Sequence, residues 1–343
     1  FLLGALLAEA MPIWPAIISG SLGYLIVVVG MVATGMIGCD LGLASCTCCQ
    51  AGFGKSGARF IVSTIFAVNM IGWFGIQNGV CGEAFSNAML AMTGWDIPVV
   101  VSNTIWGIIM LLTAVYGVHA LEKLDKISIP LLMIIMCYGI FLAFKVYGTG
   151  NLNDEGTVQS MSFMSGVALS FNFTAVGTIT GPDYTRFQKS RKDTVKSVFY
   201  GVFPMGVITL IMGIVLTKLS GQYDISMVLI EVGLPLLGII ALVISTWTTN
   251  STNAYSAGLN IVMALKLKDN RRREATLISG IVGIVLCDLG ILGHVEGVLS
   301  LLSYVVCPVG GVILADYWVV GKGKAKNFRP QDGVNWAGVI AWA

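Results

Sequence analysis

This chain has very little charge and almost no histidine. Asp, Glu, Lys and Arg make up 11% of its 343 residues, and there are two histidines, His119 and His294, both expected in loops. A soluble domain carries about a quarter charged residues, so a water-exposed surface on every side is excluded. Also missing are a His/Cys metal cluster, a nucleophile elbow and paired carboxylates, so no enzyme is expected. The eight cysteines do not supply a metal site either. Cys46, Cys48 and Cys49 lack paired CxxC spacing and a neighbouring histidine, which argues against zinc. With Cys39 they fall on or beside a loop read below as cytoplasmic, where disulfides are disfavoured. Nothing supports their palmitoylation. Cys81, Cys137, Cys287 and Cys307 read as small packing residues. Gly54-Lys55-Ser56 resembles the tail of a phosphate-binding loop, but Cys49 stands where that motif needs glycine and no strand precedes it.

What the chain does have is apolar length. It is 56% hydrophobic, and a spanning helix needs ~20 mainly apolar residues. Candidate spans lie near 12–37, 60–92, 97–117, 127–147, 161–181, 195–217, 233–264, 275–293, 297–320 and from 333 onward. Those at 60–92 and 233–264 are long for one crossing and imply a tilted or interfacial extension. Eighteen of the twenty Lys and Arg fall on alternate loops, at 38–59, 118–126, 183–196, 265–274 and 321–332. These loops therefore face the cytoplasm, and the same rule accounts for the basic clusters without any nucleic acid. The expected location is the cell inner (plasma) membrane, as a multi-pass protein. The chain opens on Phe1-Leu-Leu-Gly and closes within the apolar run Trp336–Ala343, so both ends read as lying inside helices of a longer transporter.

One span is interrupted. Phe171–Phe187 begins as an apolar helix and then fills with Asn172, Thr174, Gly177, Thr178, Thr180, Gly181 and Pro182. Non-helical backbone at membrane depth persists only where protein or a cavity covers it, and broken helices are the usual pointer to a transporter's binding site. Asp183 and Arg186 flank this segment as a candidate pair, with Asp183 also a candidate cap for the cytoplasmic segment that follows.

Two other helices carry polar faces. Asn69, Trp73 and Gln77 repeat at i, i+4, i+8 and share a side. Trp73 offers a flat ring and Gln77 a donor and an acceptor, a pairing suited to a planar heterocycle; Gly72 and Gly75 would allow close approach. The competing reading is a helix-packing stripe. Ser245, Thr248, Thr249 and Thr252 form a hydroxyl stripe, with Asn250 and Asn253 on an adjacent edge. Uncharged oxygens of this kind could coordinate Na⁺ together with backbone carbonyls, although membrane hydroxyls often only bond back to their own helix. Asp288 is the one possible proton carrier, with a hydrated position near the outer mouth as the alternative. Glu83, Glu231 and Asp316 read as interfacial.

Gly72-Trp-Phe-Gly75, Gly177–Phe187, Trp247-Thr-Thr-Asn250 with Ala254-Tyr255, and Pro308-Val-Gly-Gly-Val-Ile-Leu-Ala-Asp-Tyr317 occur in one order. The chain resembles nucleobase:cation symporter family 1, most closely its bacterial cytosine permeases, over essentially its whole length. The resemblance implies an all-α leucine-transporter-type fold of two inverted repeats with discontinuous helices. Residues 1–148 would be the remnant of the first repeat, 158–320 the second, and 333–343 the start of a further helix. Phe1–Leu7 would then remain from helix one. The helices of Trp73 and Thr248 become symmetry mates, three and eight.

It further implies Trp73 as the platform for the base and Phe173 as the opposing aromatic. Gln77, Asn172, Asn250, Asn69 and Asn253 become substrate contacts, and Ser245, Thr248 and Thr249 ligands for Na⁺. The expected function is Na⁺-coupled import of a nucleobase, cytosine first, with no other cofactor. The alternatives are H⁺ coupling through Asp288, or another planar heterocycle: hydantoin, allantoin, uracil, a purine or a thiamin-precursor pyrimidine. A channel or non-transporting sensor is the remote alternative. The departures are an extra residue at Gly181-Pro182, Met70 where some members carry Gln, and Ser245 where cytosine permeases often carry Asn.

Overall fold

Apolar runs of this length can satisfy their backbone in lipid only as helices, and no strand forms among the described residues. The computed structural model describes residues 2–116, 118–149, 152, 160–222 and 225–343. Helix α1 (Leu2–Ala10) turns into α2 (Ile13–Leu41). Three short helices, α3 (Ser45–Cys48), α4 (Gln50–Phe53) and α5 (Lys55–Gly57), lead through a π-helical turn into α6 (Ser63–Thr93). Then come α7 (Val99–Tyr116), α8 (Val118–Tyr147), α9 (Phe163–Thr174), α10 (Gly177–Thr185), α11 (Arg191–Ser220), the short α12 (Ile225–Glu231), α13 (Pro235–Ala264), α14 (Arg272–Asp288), α15 (Val295–Leu314) and α16 (Trp336–Trp342).

Among the described residues, seven helical segments are long and apolar enough to cross a membrane. The first starts at Ile13 and the last ends at Val320. Helices α13 and α14 belong to the same assembly although polar residues lower their hydropathy. In α14 the small residues Ser279, Gly280 and Gly283 are buried while Ile278, Ile281 and Val285 are exposed. That inside-out pattern suits a helix with lipid on one side and close neighbours on the other. The extension expected for the two longest spans is present: α6 has 31 residues and α13 has 30. At ~1.5 Å per residue each exceeds a ~30 Å hydrocarbon core. The loop expected at 118–126 is instead the start of α8, and the side chains of His119 and Lys123 lie outside the described residues.

The helices sort into two bodies by what they pack against. Helix α2 lies along α9, α10 and α11, with α1 against α11. Helix α6 lies along α13, α14 and α7. Helices α8 and α15 touch members of both bodies. Close backbone approach holds the first body together: a Cβ at Gly23 would sit 2.4 Å from the carbonyl oxygen of Val167, and Ser170 Oγ donates to the Gly20 carbonyl at 2.6 Å.

The interrupted span breaks inside the stretch its composition marks, but over two residues only. Helix α9 ends at Thr174 and α10 starts at Gly177, so the break is Ala175-Val176, and Gly181-Pro182 lie inside α10. Phe173 therefore sits before the break rather than in it. Pro182 has no N–H to offer the carbonyl of Thr178 four residues back. Thr34 of α2 donates its hydroxyl to that carbonyl instead, at 2.8 Å. Gly181 and Gly38 let the two helices meet: a Cβ on Gly181 would lie 2.5 Å from the Met31 carbonyl oxygen, and one on Gly38 would lie 2.4 Å from Pro182 Cα. A neighbouring helix thus repairs the proline's lost bond.

Thr34→Val is expected to cost about 1–2 kcal/mol by leaving that acceptor unpaired, while Thr34→Ser retains the bond. In a Pro182→Ala background, where residue 182 regains an N–H, most of the cost should vanish. Denaturant titrations of the four proteins in detergent measure the coupling, and strict additivity would rule the repair out.

Contacts bring three of the five loops rich in Lys and Arg together. Asp183 Oδ1 accepts from the Ser45 backbone N–H at 2.9 Å, Arg191 bonds both Asp40 and the Gly323 carbonyl, and Lys55 pairs with Asp332 at 2.8 Å. Loops 38–59, 183–196 and 321–332 therefore share one end of the molecule. Asp183 caps α3, which lies 138 residues away in sequence, and not the segment after it. Arg186 lies over the Phe187 ring and forms no ion pair with Asp183 among the described residues. Cys46, Cys48 and Cys49 of the first loop are buried, and burial pushes the thiols of Cys46 and Cys48 up to about 12. They are inert packing groups at neutral pH.

Candidate substrate and ion site

Helices α6, α9 and α13 carry the polar residues singled out above, and they meet at a cavity of about 760 Å³. Gln77 of α6, Phe173 of α9, and Ser245 and Thr249 of α13 line it. Gln77 makes no side-chain hydrogen bond among the described residues, so both ends of its amide are free to read a ligand. Trp73, one helical turn from Gln77, touches Phe173 edge to face, with centroids 5.3 Å apart and planes at 68°. The two aromatics expected to face one another are therefore neighbours, in contact with each other rather than parallel.

The four hydroxyls of the α13 stripe bond back to their own helix. Ser245 Oγ donates to the Leu242 carbonyl, Thr248 and Thr249 both donate to the Ser245 carbonyl, and Thr252 donates to the Thr248 carbonyl, at 3.0–3.1 Å. This spends each proton and leaves the oxygen lone pairs available, which is what a cation ligand requires. Ser245 and Thr249 face the cavity; Thr248 is not among the lining residues.

The amides are arranged differently. Asn250 is fully buried, and its Nδ2 donates to the Phe74 carbonyl at 3.0 Å, while Asn253 donates to Asn250 Oδ1 at 3.4 Å. Ser251 Oγ donates to the Met110 carbonyl and Trp247 Nε1 to Thr113 Oγ1. Residues 247, 250 and 251 thus share a face that fastens α13 to α6 and α7. Residues 245, 246 and 249 share the face towards the cavity. The motif Trp-Thr-Thr-Asn is split between a joint and a lining, and Asn250 and Asn253 fall on the joint side. Asn172 links α9 to α15, donating to Ser300 Oγ at 3.2 Å and accepting on its carbonyl from Ser303. Asn69 is buried, and its Oδ1 has no hydrogen-bond partner among the described residues. The structure thus brings Gln77, Phe173, Ser245 and Thr249 to the cavity, sets Trp73 beside them, and keeps Asn69, Asn172, Thr248, Asn250 and Asn253 off it.

Thr246 and Glu9 also line the cavity and were not singled out in sequence. Thr246 is one residue off the hydroxyl stripe, and only the angle between α13 and the cavity brings it in. Glu83, read as interfacial, is a lining residue too. Asp288 is not: its carboxylate accepts from Asn103 Nδ2 at 3.2 Å and from Thr104 Oγ1 at 3.5 Å, tying α14 to α7.

Over residues 1–343 the chain matches the family described as permeases for cytosine/purines, uracil, thiamine and allantoin. The protein belongs to this family. The permease is 31% identical to the cytosine permease of Escherichia coli (strain K12) over 315 residues, covering 90% of this chain and 72% of that one. It is 20% identical to the hydantoin permease of Microbacterium maritypicum, covering 100% of this chain and 76% of the relative. Among solved structures it matches Mhp1, a nucleobase-cation-symport-1 family transporter in a closed conformation with bromovinylhydantoin bound. The TM-score is 0.80 at 18% identity, over 100% of this chain and 86% of that one. MhsT in complex with L-phenylalanine matches with a TM-score of 0.60. These likenesses show the fold: the leucine-transporter-type arrangement of inverted repeats, with α9 and α10 as the discontinuous helix. The permease is a multi-pass membrane protein of a transporter family.

Proposed function

We propose that the protein imports a nucleobase, cytosine first, together with Na⁺. One observation carries this reading: Gln77, Phe173, Ser245 and Thr249, from three helices distant in sequence, line one cavity. The family match and the identity to a cytosine permease support the choice of base. In this reading the base lies on the Trp73 ring, with Phe173 moving to cover it. Gln77 reads its edge, and Na⁺ sits on the lone pairs of the α13 hydroxyls. Ion and base then raise each other's affinity by the same factor. The two bodies rocking about the site expose it to each side in turn.

The test is initial uptake of labelled cytosine, with and without Na⁺, against a panel of unlabelled uracil, purines, hydantoin and allantoin. Na⁺-stimulated uptake competed best by cytosine is the expected result. Uptake driven by a pH gradient without Na⁺ would overturn the ion, and stronger competition by another ring would overturn the base. Thr249→Ala is expected to raise the Na⁺ concentration needed for half-maximal uptake about tenfold, the equivalent of ~1.4 kcal/mol. An unaltered Na⁺ dependence would refute the ion site.

A further inference from the structure

We propose that Arg186, Lys189, Lys192 and Lys196, where α10 turns into α11, form a binding site for a membrane lipid whose phosphate headgroup carries a net negative charge. None of the four lines the transport cavity, so the site is independent of which ring the permease carries.

The charge at this corner is uncompensated. Loop 183–196 holds five basic residues and two acidic ones. Arg191 is spent on Asp40. Both acids are engaged as well: Asp183 accepts from the Ser45 backbone N–H, and Asp193, in the first turn of α11, accepts from Ser190 Oγ at 2.7 Å. Arg186, Lys189, Lys192 and Lys196 are exposed and form no ion pair among the described residues. The basic loop at 265–274 differs, because Arg271 pairs with Glu274 and Arg272 lies over the Tyr255 ring at 4.8 Å.

Aromatic side chains surround these cations. Tyr184, Phe187 and Tyr200 are 66%, 78% and 69% exposed. Lys192, Lys196 and Tyr200 repeat at i, i+4, i+8 on α11 and share a side. Four residues rise ~6 Å, and the headgroup region on each side of the hydrocarbon is ~5–8 Å deep. The two lysines therefore span the depth of the phosphates, with Tyr200 at the border with the acyl chains, where such rings concentrate. Arg186 rests over the Phe187 ring at 4.7 Å, which restrains a guanidinium able to give a phosphate two parallel N–H bonds. Position near a helix end is enough to orient a chain in the membrane. Orientation requires neither aromatic neighbours nor unpaired charge, whereas a phosphate ligand uses both. A zwitterionic headgroup brings its own cation and has no need of these four; an anionic one does.

The experiment reconstitutes the full chain in phosphatidylcholine vesicles with a trace of photoactivatable phosphatidylglycerol or photoactivatable phosphatidylcholine, and compares labelling of residues 183–200. Phosphatidylglycerol is expected to label the segment at least about fivefold more, the gain from one cation at an anionic surface. Lys192→Gln with Lys196→Gln should bring the two probes to parity. Arg186→Gln with Lys189→Gln gives the same readout should the first pair fail to fold. Lys322→Gln with Lys324→Gln, in another basic loop at the same end of the molecule, should leave the ratio unchanged. Equal labelling by both probes in the unsubstituted protein overturns the site. A ratio lowered as much by the Lys322 and Lys324 substitutions overturns it too, since the attraction is then diffuse. Inorganic phosphate in excess over the probe should not compete; loss of labelling in its presence would make the occupant a free anion and overturn the lipid.

Discussion

Trp73→Ala is expected to lower uptake about ten- to hundredfold, because a base stacked on an aromatic side chain contributes ~1–3 kcal/mol. The geometry makes the prediction specific. The Trp73 and Phe173 rings touch at 5.3 Å and 68°. A base held between two parallel rings needs them ~7 Å apart, two carbon–carbon contact distances. Loading therefore requires one ring to turn. Phe173 is the one beside the hinge, being two residues from Ala175-Val176. Trp73 belongs to a 31-residue helix with Gly72 against Leu302 and Gly75 against the Gly283 carbonyl, which leaves it little freedom. Trp73→Phe keeps a flat face and should retain measurable uptake. Phe173→Ala should weaken binding by less than Trp73→Ala, since it removes the cover and not the platform. Initial rates of labelled cytosine uptake, normalised to protein in the membrane, separate the three variants. A Trp73→Ala protein that transports normally would remove the platform assignment.

Arg191→Ala is expected to destabilise the end of the molecule where the basic loops meet more than any other loop substitution. Asp40 is the centre of this network. Its carboxylate accepts from Arg191 Nε at 2.9 and 3.0 Å, from Arg191 Nη2 at 2.5 Å and from Tyr317 Oη at 2.5 Å. Arg191 also donates to the Gly323 carbonyl at 2.6 Å and lies over the Trp318 ring at 4.9 Å. One residue thus ties the ends of α2, α11 and the π-helical segment Ala315–Val320 together. The Asp40 side chain is only 16% exposed, against 40% for Arg191. Removing the arginine leaves a mostly buried carboxylate without its charge partner. Fully buried pairs cost ~3–5 kcal/mol when broken this way; the exposure of Arg191 reduces the expectation to about 2 kcal/mol. Lysine lacks the planar fork and should rescue only in part. Asp40→Asn combined with Arg191→Ala should recover stability, because the orphaned charge is gone. Thermal melts of the purified chain in detergent measure this, and a melting temperature unmoved by Arg191→Ala would show the network to be inconsequential.

The spans were legible because a bilayer demands one local property, apolar length, and the chain supplies it segment by segment. The grouping of basic loops at one end was legible for a similar reason, since Lys and Arg near helix ends act individually. The break in α9–α10 was legible in kind but not in place. Composition marked the whole stretch from Asn172 to Pro182, yet at Gly181-Pro182 the hydroxyl of Thr34 mends the helix from 144 residues away. Polar faces on α6 and α13 were recognisable from spacing. Their roles were not, because two faces of one helix have the same composition whether they meet a cavity or another helix. Asn250 was expected at the substrate and instead bonds the Phe74 carbonyl. Thr246, one position away from the stripe, came to the cavity unannounced.

By itself, then, the sequence determined that this is an all-helical membrane protein, which loops carry the basic residues, and which helices hold polar groups at depth. The tertiary structure alone decided which of those groups serve as joints and which line the cavity. The reason is physical. Hydrophobic length and charge act where they stand in the chain, whereas a buried polar group in lipid must find its partner across a helix interface, and only the packing says which helix is there.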